Sequence, residues 1–118
     1  MQITKIIVSV LFAVLTIGAG IIHIVHPAVY YPFIPDFLPK DLVNYVVGVL
    51  EIAIGVGIAV PRFRSRGVFG FFLLMIAFLP LHIIDVFSAH PAIGSPSLAL
   101  IRLPLQFALI GAAWWVYK

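Results

Sequence analysis

The sequence predicts an all-α integral membrane protein, built as one bundle of four transmembrane helices. Two observations and one physical constraint predict this fold class. The 118 residues are 64% hydrophobic and 9% charged, and seven basic plus four acidic side chains cannot cover a soluble domain of this size. Four apolar stretches are each long enough to cross a hydrocarbon core, which needs about 20 helical residues. Lipid offers no hydrogen-bond partner to an open sheet edge, so we expect every span to be a helix.

The four predicted spans cover residues 3–24, 42–60, 67–87 and 97–117, and residues 1–118 form a single domain. Polar side chains are costly in lipid, and they mark either functional sites or structural pairs. All four spans contain ionisable or amide side chains: His23 in the first, Asn44 and Glu51 in the second, His82 and Asp85 in the third, and Arg102 and Gln106 in the fourth.

The connection between the first two spans is the longest, and its four prolines between Pro27 and Pro39 forbid a continuous helix. Its Tyr and Phe residues suit a segment that lies at the level of the lipid headgroups and packs over the end of the bundle. Ser95-Pro96 has the pattern of a helix N-cap followed by proline at the first helical position. The absence of cysteine excludes disulfides and thiolate metal ligands within this chain.

The positions of Lys and Arg predict the orientation. Basic residues are concentrated at one end of the bundle, namely Lys5, Arg62, Arg64, Arg66 and Lys118, whereas Lys40 and Arg102 lie towards the other. The positive-inside rule therefore predicts a multi-pass protein of the inner (cytoplasmic) membrane with both termini in the cytoplasm. In a membrane protein, the basic pI does not indicate a nucleic-acid partner.

Spacing places the polar residues on one face of each helix. Ser9, Thr16 and His23 recur every seven residues on the first span, with His26 three further on. Asn44, Gly48, Glu51 and Gly55 form the equivalent stripe on the second span, and we expect its glycines to leave room for a cavity beside the carboxyl group. The helical rise predicts that these ionisable groups all lie in the half of the bundle that is farther from the cytoplasm.

Candidate binding residues follow from these stripes: Glu51, His82, Gln106, Arg102, Asp85, His23 and Asn44. Asp85 and Arg102 lie at matching depth on consecutive spans, which predicts an ion pair. Glu51 is then left to pair with His82 or His23, or to be neutral and bonded to His82 or Gln106. Glu51 and His82 are accordingly the candidate acid and base if the protein is an enzyme.

Histidine spacing also raises a metal hypothesis. His23 and His26 are three residues apart, and together with His82 they could contribute to a histidine-rich site. Pro27 ends the helix at His26, however, so the two rings need not converge. Histidines at a helix end are more often interfacial hydrogen-bonding groups, and this interpretation is favoured.

Four segments of the sequence are similar to the DoxX-like family of small bacterial membrane proteins, related to DoxD and MauE. They are HIVHPAVYYPFIPDFLP from His23, GVLEIAIGVG from Gly48, Leu79-Pro80 with His82, and RLPLQ from Arg102, in the family's order. The resemblance implies a four-helix bundle that is a redox-associated accessory subunit or binds a quinone-like or other lipophilic molecule. It implies a redox-enzyme partner subunit but no set of catalytic residues.

Three functions therefore stand as hypotheses. The first is the redox-associated accessory subunit or ligand-binding protein, in which a quinone is a candidate cofactor. The second is a structural membrane subunit, alone or as a homo-oligomer, whose polar core sets helix packing and whose interior is filled by side chains. The third is a small enzyme acting on a lipid, with Glu51 and His82 as acid and base.

Overall fold

The structure, a computed structural model, describes residues 1–118; its only regular elements are helices, and it contains no strand. Four long helices follow one another along the chain: α1 (Ile3–Val25), α2 (Lys40–Ala59), α3 (Arg64–Val86) and α4 (Pro96–Tyr117). The short 3₁₀ segment Pro27–Phe33 lies between α1 and α2, and a second, Pro61–Phe63, lies between α2 and α3. The all-α prediction is confirmed. Helix α3 begins at Arg64, three residues before its predicted start, so it includes part of the basic turn.

All four helices are long and apolar enough to cross a membrane. The molecule measures 43 × 27 × 18 Å, and its long axis matches the roughly 40–45 Å of a bilayer with its headgroups. Large apolar side chains such as Leu15, Ile101 and Phe107 are exposed on its outer surface. A surface of this kind is typical of contact with lipid rather than with water.

The stripes predicted on α1 and α2 are buried. Ser9, Thr16 and His23 lie on the buried face of α1, as do Asn44, Glu51 and the two stripe glycines on that of α2. His26 does not join its predicted stripe, because α1 ends at Val25 and the His26 side chain is exposed.

The glycines of the stripes allow α1 and α2 to pack backbone against backbone. A Cβ added to Gly20 would lie 2.7 Å from the Gly48 carbonyl oxygen, and one added to Gly48 would lie 2.8 Å from the Gly20 oxygen. A Cβ on Gly55 would meet the Ile17 side chain and the Ala13 oxygen. The room that Gly48 and Gly55 leave is therefore taken by α1, contrary to the role predicted for them. Glu51 does line a cavity, as predicted, but neither glycine lines it.

One half of the bundle is an apolar core. Phe12 stacks on Phe71 with ring centroids 4.4 Å apart, and Ile58, Val68 and Ala113 are fully buried beside them. The opposite end, where α1 and α3 finish and α2 and α4 begin, carries most of the buried polar groups. This end is named the cap end.

The 3₁₀ segment Pro27–Phe33, named the cap segment, packs over the cap end as the sequence predicted. Asn44 Nδ2 donates to the Pro27 carbonyl oxygen at 3.2 Å, and Lys40 Nζ donates to the Tyr31 carbonyl oxygen at 3.1 Å. The Tyr31 hydroxyl donates to Asp41. These three bonds attach the cap segment to the first turns of α2.

Candidate functional site

A cavity of about 560 Å³ lies below the cap segment and is lined by residues of all four helices. Its volume falls in the range of roughly 300–1,000 Å³ that is usual for small-molecule sites. Of the 19 lining residues, 14 are hydrophobic. The polar lining residues are Thr16, His23, Glu51, His82 and Arg102.

Four of the predicted binding residues line this cavity, namely His23, Glu51, His82 and Arg102. The other three, Asn44, Asp85 and Gln106, are buried but do not line it. The seven candidates thus divide into four that line the cavity and three that are buried in the structure around it.

His23 and Glu51 form a close pair in the cavity wall. His23 Nε2 lies 3.1 Å from Glu51 Oε1, while His23 Nδ1 lies 2.7 Å from Asn44 Oδ1. His23, Asn44 and Glu51 are only 8%, 1% and 3% exposed. The partner of Glu51, left open by the sequence, is therefore His23, and the alternatives with His82 or Gln106 are not formed.

Asn44 determines how protons are arranged in this pair. Its Nδ2 donates to the Pro27 carbonyl oxygen, so its Oδ1 is the atom that faces His23 and accepts a hydrogen bond. His23 Nδ1 must then carry a proton, because a carboxamide oxygen cannot donate one. Without a proton between them, the lone pairs of His23 Nε2 and Glu51 Oε1 would repel each other at 3.1 Å. We therefore infer that this contact contains one shared proton, which belongs either to the imidazole or to the carboxyl group.

Tyr30 of the cap segment covers this pair from above. Its ring stacks on that of His23, with centroids 3.6 Å apart and planes 14° from parallel, and it lines the cavity. Burial raises the pKa of the Tyr30 phenol, and the nearby Glu51 carboxylate raises it further. Tyr30 therefore stays protonated and supplies an O–H donor near the pair. The sequence did not single it out; its only signal was an aromatic side chain in the proline-rich connection.

The predicted ion pair between Asp85 and Arg102 does not form. The Asp85 carboxylate accepts hydrogen bonds from the backbone N–H groups of Ala92 and Ile93, the latter at 3.2 Å. These main-chain donors reach Asp85 from the loop between α3 and α4, which matching depth on two helices could not reveal. Asp85 is therefore an anchor for this loop rather than the counterion of Arg102.

Arg102 is left without a protein partner. It makes no ion pair or hydrogen bond, and its Nη1 is both buried and unbonded. A guanidinium group has five N–H donors and stays charged in proteins. The cavity therefore contains an unpaired cation in its otherwise largely apolar wall.

Gln106 connects two helices and does not line the cavity. Its side chain is fully buried, and Nε2 donates to the Met75 carbonyl oxygen at 2.6 Å, which ties α4 to α3. Its Oε1 has no hydrogen-bond partner.

The histidines do not assemble into a metal site. No group of three or more His, Cys, Asp or Glu residues comes close enough to hold a metal ion. His26 is exposed beyond α1, and His82 lines the cavity with the Phe33 ring edge-on to it at 6.0 Å between centroids. Both ring nitrogens of His23 already have protein partners.

The fold and this site define a class of small, all-α proteins with four apolar helices of membrane-spanning length around a cavity near one end. The family model for a domain of unknown function (DUF8561) matches residues 12–117, so the chain belongs to that family. Neither a curated protein nor a solved structure matches the chain.

Proposed function

We propose that this protein is a multi-pass protein of the cytoplasmic membrane that binds one lipophilic molecule in the cavity below the cap segment. One observation carries the proposal: a cavity of about 560 Å³ with a largely apolar lining also contains an arginine without a protein partner. Ligand sites combine such a lining with a few polar groups that orient the ligand.

The lining suggests how the ligand lies. Its apolar part packs against residues such as Leu105, Leu109 and Met75, while an oxygen-bearing head accepts hydrogen bonds from Arg102 and His82. A quinone-like head has carbonyl oxygens of the required kind. Together with the resemblance to DoxX-like proteins, this supports a role as a redox-associated accessory subunit, in which a partner redox enzyme supplies the electrons.

The test is to fill the cavity and measure what the purified protein retains. Ala19 lines the cavity, and Ala19→Phe adds a ring to it. Solvent extraction and mass spectrometry should find one lipophilic molecule per wild-type chain and at least about fivefold less in the variant, because occupied volume excludes the ligand. Ala77→Phe adds the same ring to an exposed position of α3 and should retain the ligand.

A wild-type protein without a stoichiometric ligand would contradict the proposal and favour the structural subunit, whose polar contacts only hold the helices. The observation that favours a binding protein over that subunit is a cavity that the protein's own side chains do not fill. Equal retention by Ala19→Phe and wild type would show that a co-purified lipid lies outside this cavity.

A second candidate function is catalysis of a proton transfer on the bound lipid. The observation that favours it is the shared proton between His23 and Glu51 in the cavity wall. The acid–base pair would then be His23 and Glu51, in place of the Glu51 and His82 that the sequence suggested. Turnover by the purified protein, without partner subunits, is the discriminating measurement.

A further inference from the structure

We propose that the ligand's head is a single negative charge, a carboxylate bound by Arg102, and that the ligand is a single-chain amphiphile. This inference rests on the proposed ligand-binding function, and it replaces the neutral, quinone-like head considered there with an anionic one.

The charges around the cavity do not balance. Glu51 already pairs with His23. Asp85 keeps its charge, but it does not line the cavity, its carboxylate bonds to two backbone N–H groups, and it makes no ion pair with Arg102. Tyr30 and His82 are the other titratable groups of the lining, and neither can supply a negative charge to Arg102 at neutral pH, since a protonated phenol and an imidazole are not anions. One positive charge therefore remains without a counterion.

An arginine in this position calls for an anion rather than a neutral acceptor. Buried Nη1 has no partner, and α4 is one of the helices that are apolar enough to span a membrane. Charges in such an environment are usually paired, because an unpaired one is costly. A carboxylate matches the planar guanidinium through two parallel hydrogen bonds and neutralises it, whereas a ketone oxygen accepts the bonds but leaves the charge.

The length and volume of the cavity fit one hydrocarbon chain. Leu105 and Leu109 line it three and seven residues beyond Arg102, so the apolar wall extends about 10 Å along α4 from the charge. At about 30 Å³ for each water-sized group, the volume of 560 Å³ corresponds to roughly twenty such groups. One long acyl chain with its head fills that space, whereas the second chain of a phospholipid would have to lie outside it.

The experiment compares three probes on the full-length protein, delipidated in a neutral detergent at pH 8.5. Radiolabelled hexadecanoate is the anionic probe, hexadecanol has the same chain with a neutral head, and decyl-ubiquinone is a neutral quinone. We expect hexadecanoate to bind one per chain and at least about tenfold more tightly than hexadecanol, since charge-assisted hydrogen bonds are roughly twice as strong as neutral ones.

Arg102→Gln should abolish this preference, so that hexadecanoate binds no better than hexadecanol. Measurable binding of hexadecanol by the variant, at one per chain, shows that the cavity has formed. Arg102→Lys retains the charge without the fork geometry and should retain part of the preference.

Three outcomes would overturn the inference. Tighter binding of decyl-ubiquinone or hexadecanol than of hexadecanoate by the wild type would reject the anionic head and leave the ligand-binding function standing. A full preference for the acid in Arg102→Gln would likewise reject the carboxylate bound by Arg102 and leave the ligand-binding function standing. Failure of all three probes to bind the wild type would reject this inference together with the proposed function.

Discussion

At the scale of single residues, His23 shows how local contacts define chemistry. Each of its ring nitrogens faces an oxygen, Asn44 Oδ1 on one side and Glu51 Oε1 on the other. The Pro27 carbonyl fixes the orientation of the Asn44 amide, and this amide in turn fixes the proton on Nδ1. Asn44 is therefore a positioning residue, which acts on the cavity through His23.

Replacing Glu51 tests the shared proton. In Glu51→Gln the carboxyl group is lost, and the amide cannot exchange a proton with His23. Its NH2 group can donate to Nε2 of the neutral imidazole, or its oxygen can accept from Nε2 of the cationic one, so no proton is shared. We expect ¹⁵N NMR of labelled histidine to show a changed Nε2 signal for His23 and unchanged signals for His26 and His90, which are exposed. An unaltered His23 signal in this variant would disprove the shared proton.

At the scale of helices, the contact between α1 and α2 depends on glycine. Gly20 and Gly48 bring two backbones so close that an added Cβ would meet a carbonyl oxygen. This contact holds His23 of α1 within reach of Glu51 and Asn44 of α2. Close helix packing through small residues is thus the condition for the polar pair beside it.

Gly48→Ala should loosen this contact. Its Cβ would lie 2.8 Å from the Gly20 oxygen and 3.0 Å from His23 Cβ, so we expect a loss of about 1–3 kcal/mol in unfolding free energy. Titration with denaturing detergent, followed by circular dichroism, measures this loss. Gly18→Ala is the matched control, because nothing lies within 4 Å of its added Cβ.

The control variant should be neutral or up to about 1 kcal/mol more stable, since alanine favours helix over glycine. If Gly48→Ala were as stable as Gly18→Ala, the two helices would not depend on the close approach.

At the scale of the whole molecule, the polar groups are distributed unequally between the two ends. The cavity lies towards the cap end, whereas Phe12, Ile58 and Val68 pack the other half without ionisable groups. Ser9, the polar residue buried deepest in that half, bonds to the Ile6 carbonyl oxygen of its own helix. A site confined to one part of the bundle is therefore supported over a pore through it.

The charge distribution predicts which end faces the cytoplasm. Arg62, Arg64 and Arg66 lie at the end opposite the cap, so the cap end should face outwards. The chain has no cysteine, so Ser65→Cys and Ala89→Cys, both at exposed positions, each introduce a single thiol. In intact cells, a membrane-impermeant maleimide should label Ala89→Cys and leave Ser65→Cys unlabelled. The reverse pattern would contradict the proposed orientation.

The sequence by itself determined the four helices, their approximate bounds and the buried stripes of α1 and α2. These features depend on hydropathy and on a spacing of three to four residues, which are properties of each segment alone. For the same reason, four of the seven predicted binding residues line the cavity, since buried polar side chains of adjacent helices face a common interior.

Only the tertiary structure decided which partner each polar group takes. The depth of a residue in the bundle, estimated from its position along the sequence, is known only to about one helical turn, or 5.4 Å. A hydrogen bond, in contrast, requires a separation near 3 Å between its two heavy atoms. Asp85 is bonded by backbone N–H groups of a loop, Glu51 by His23, and Arg102 by no protein group. Because helix packing and loop conformation set these distances, the cation left unpaired in the cavity became visible only in three dimensions.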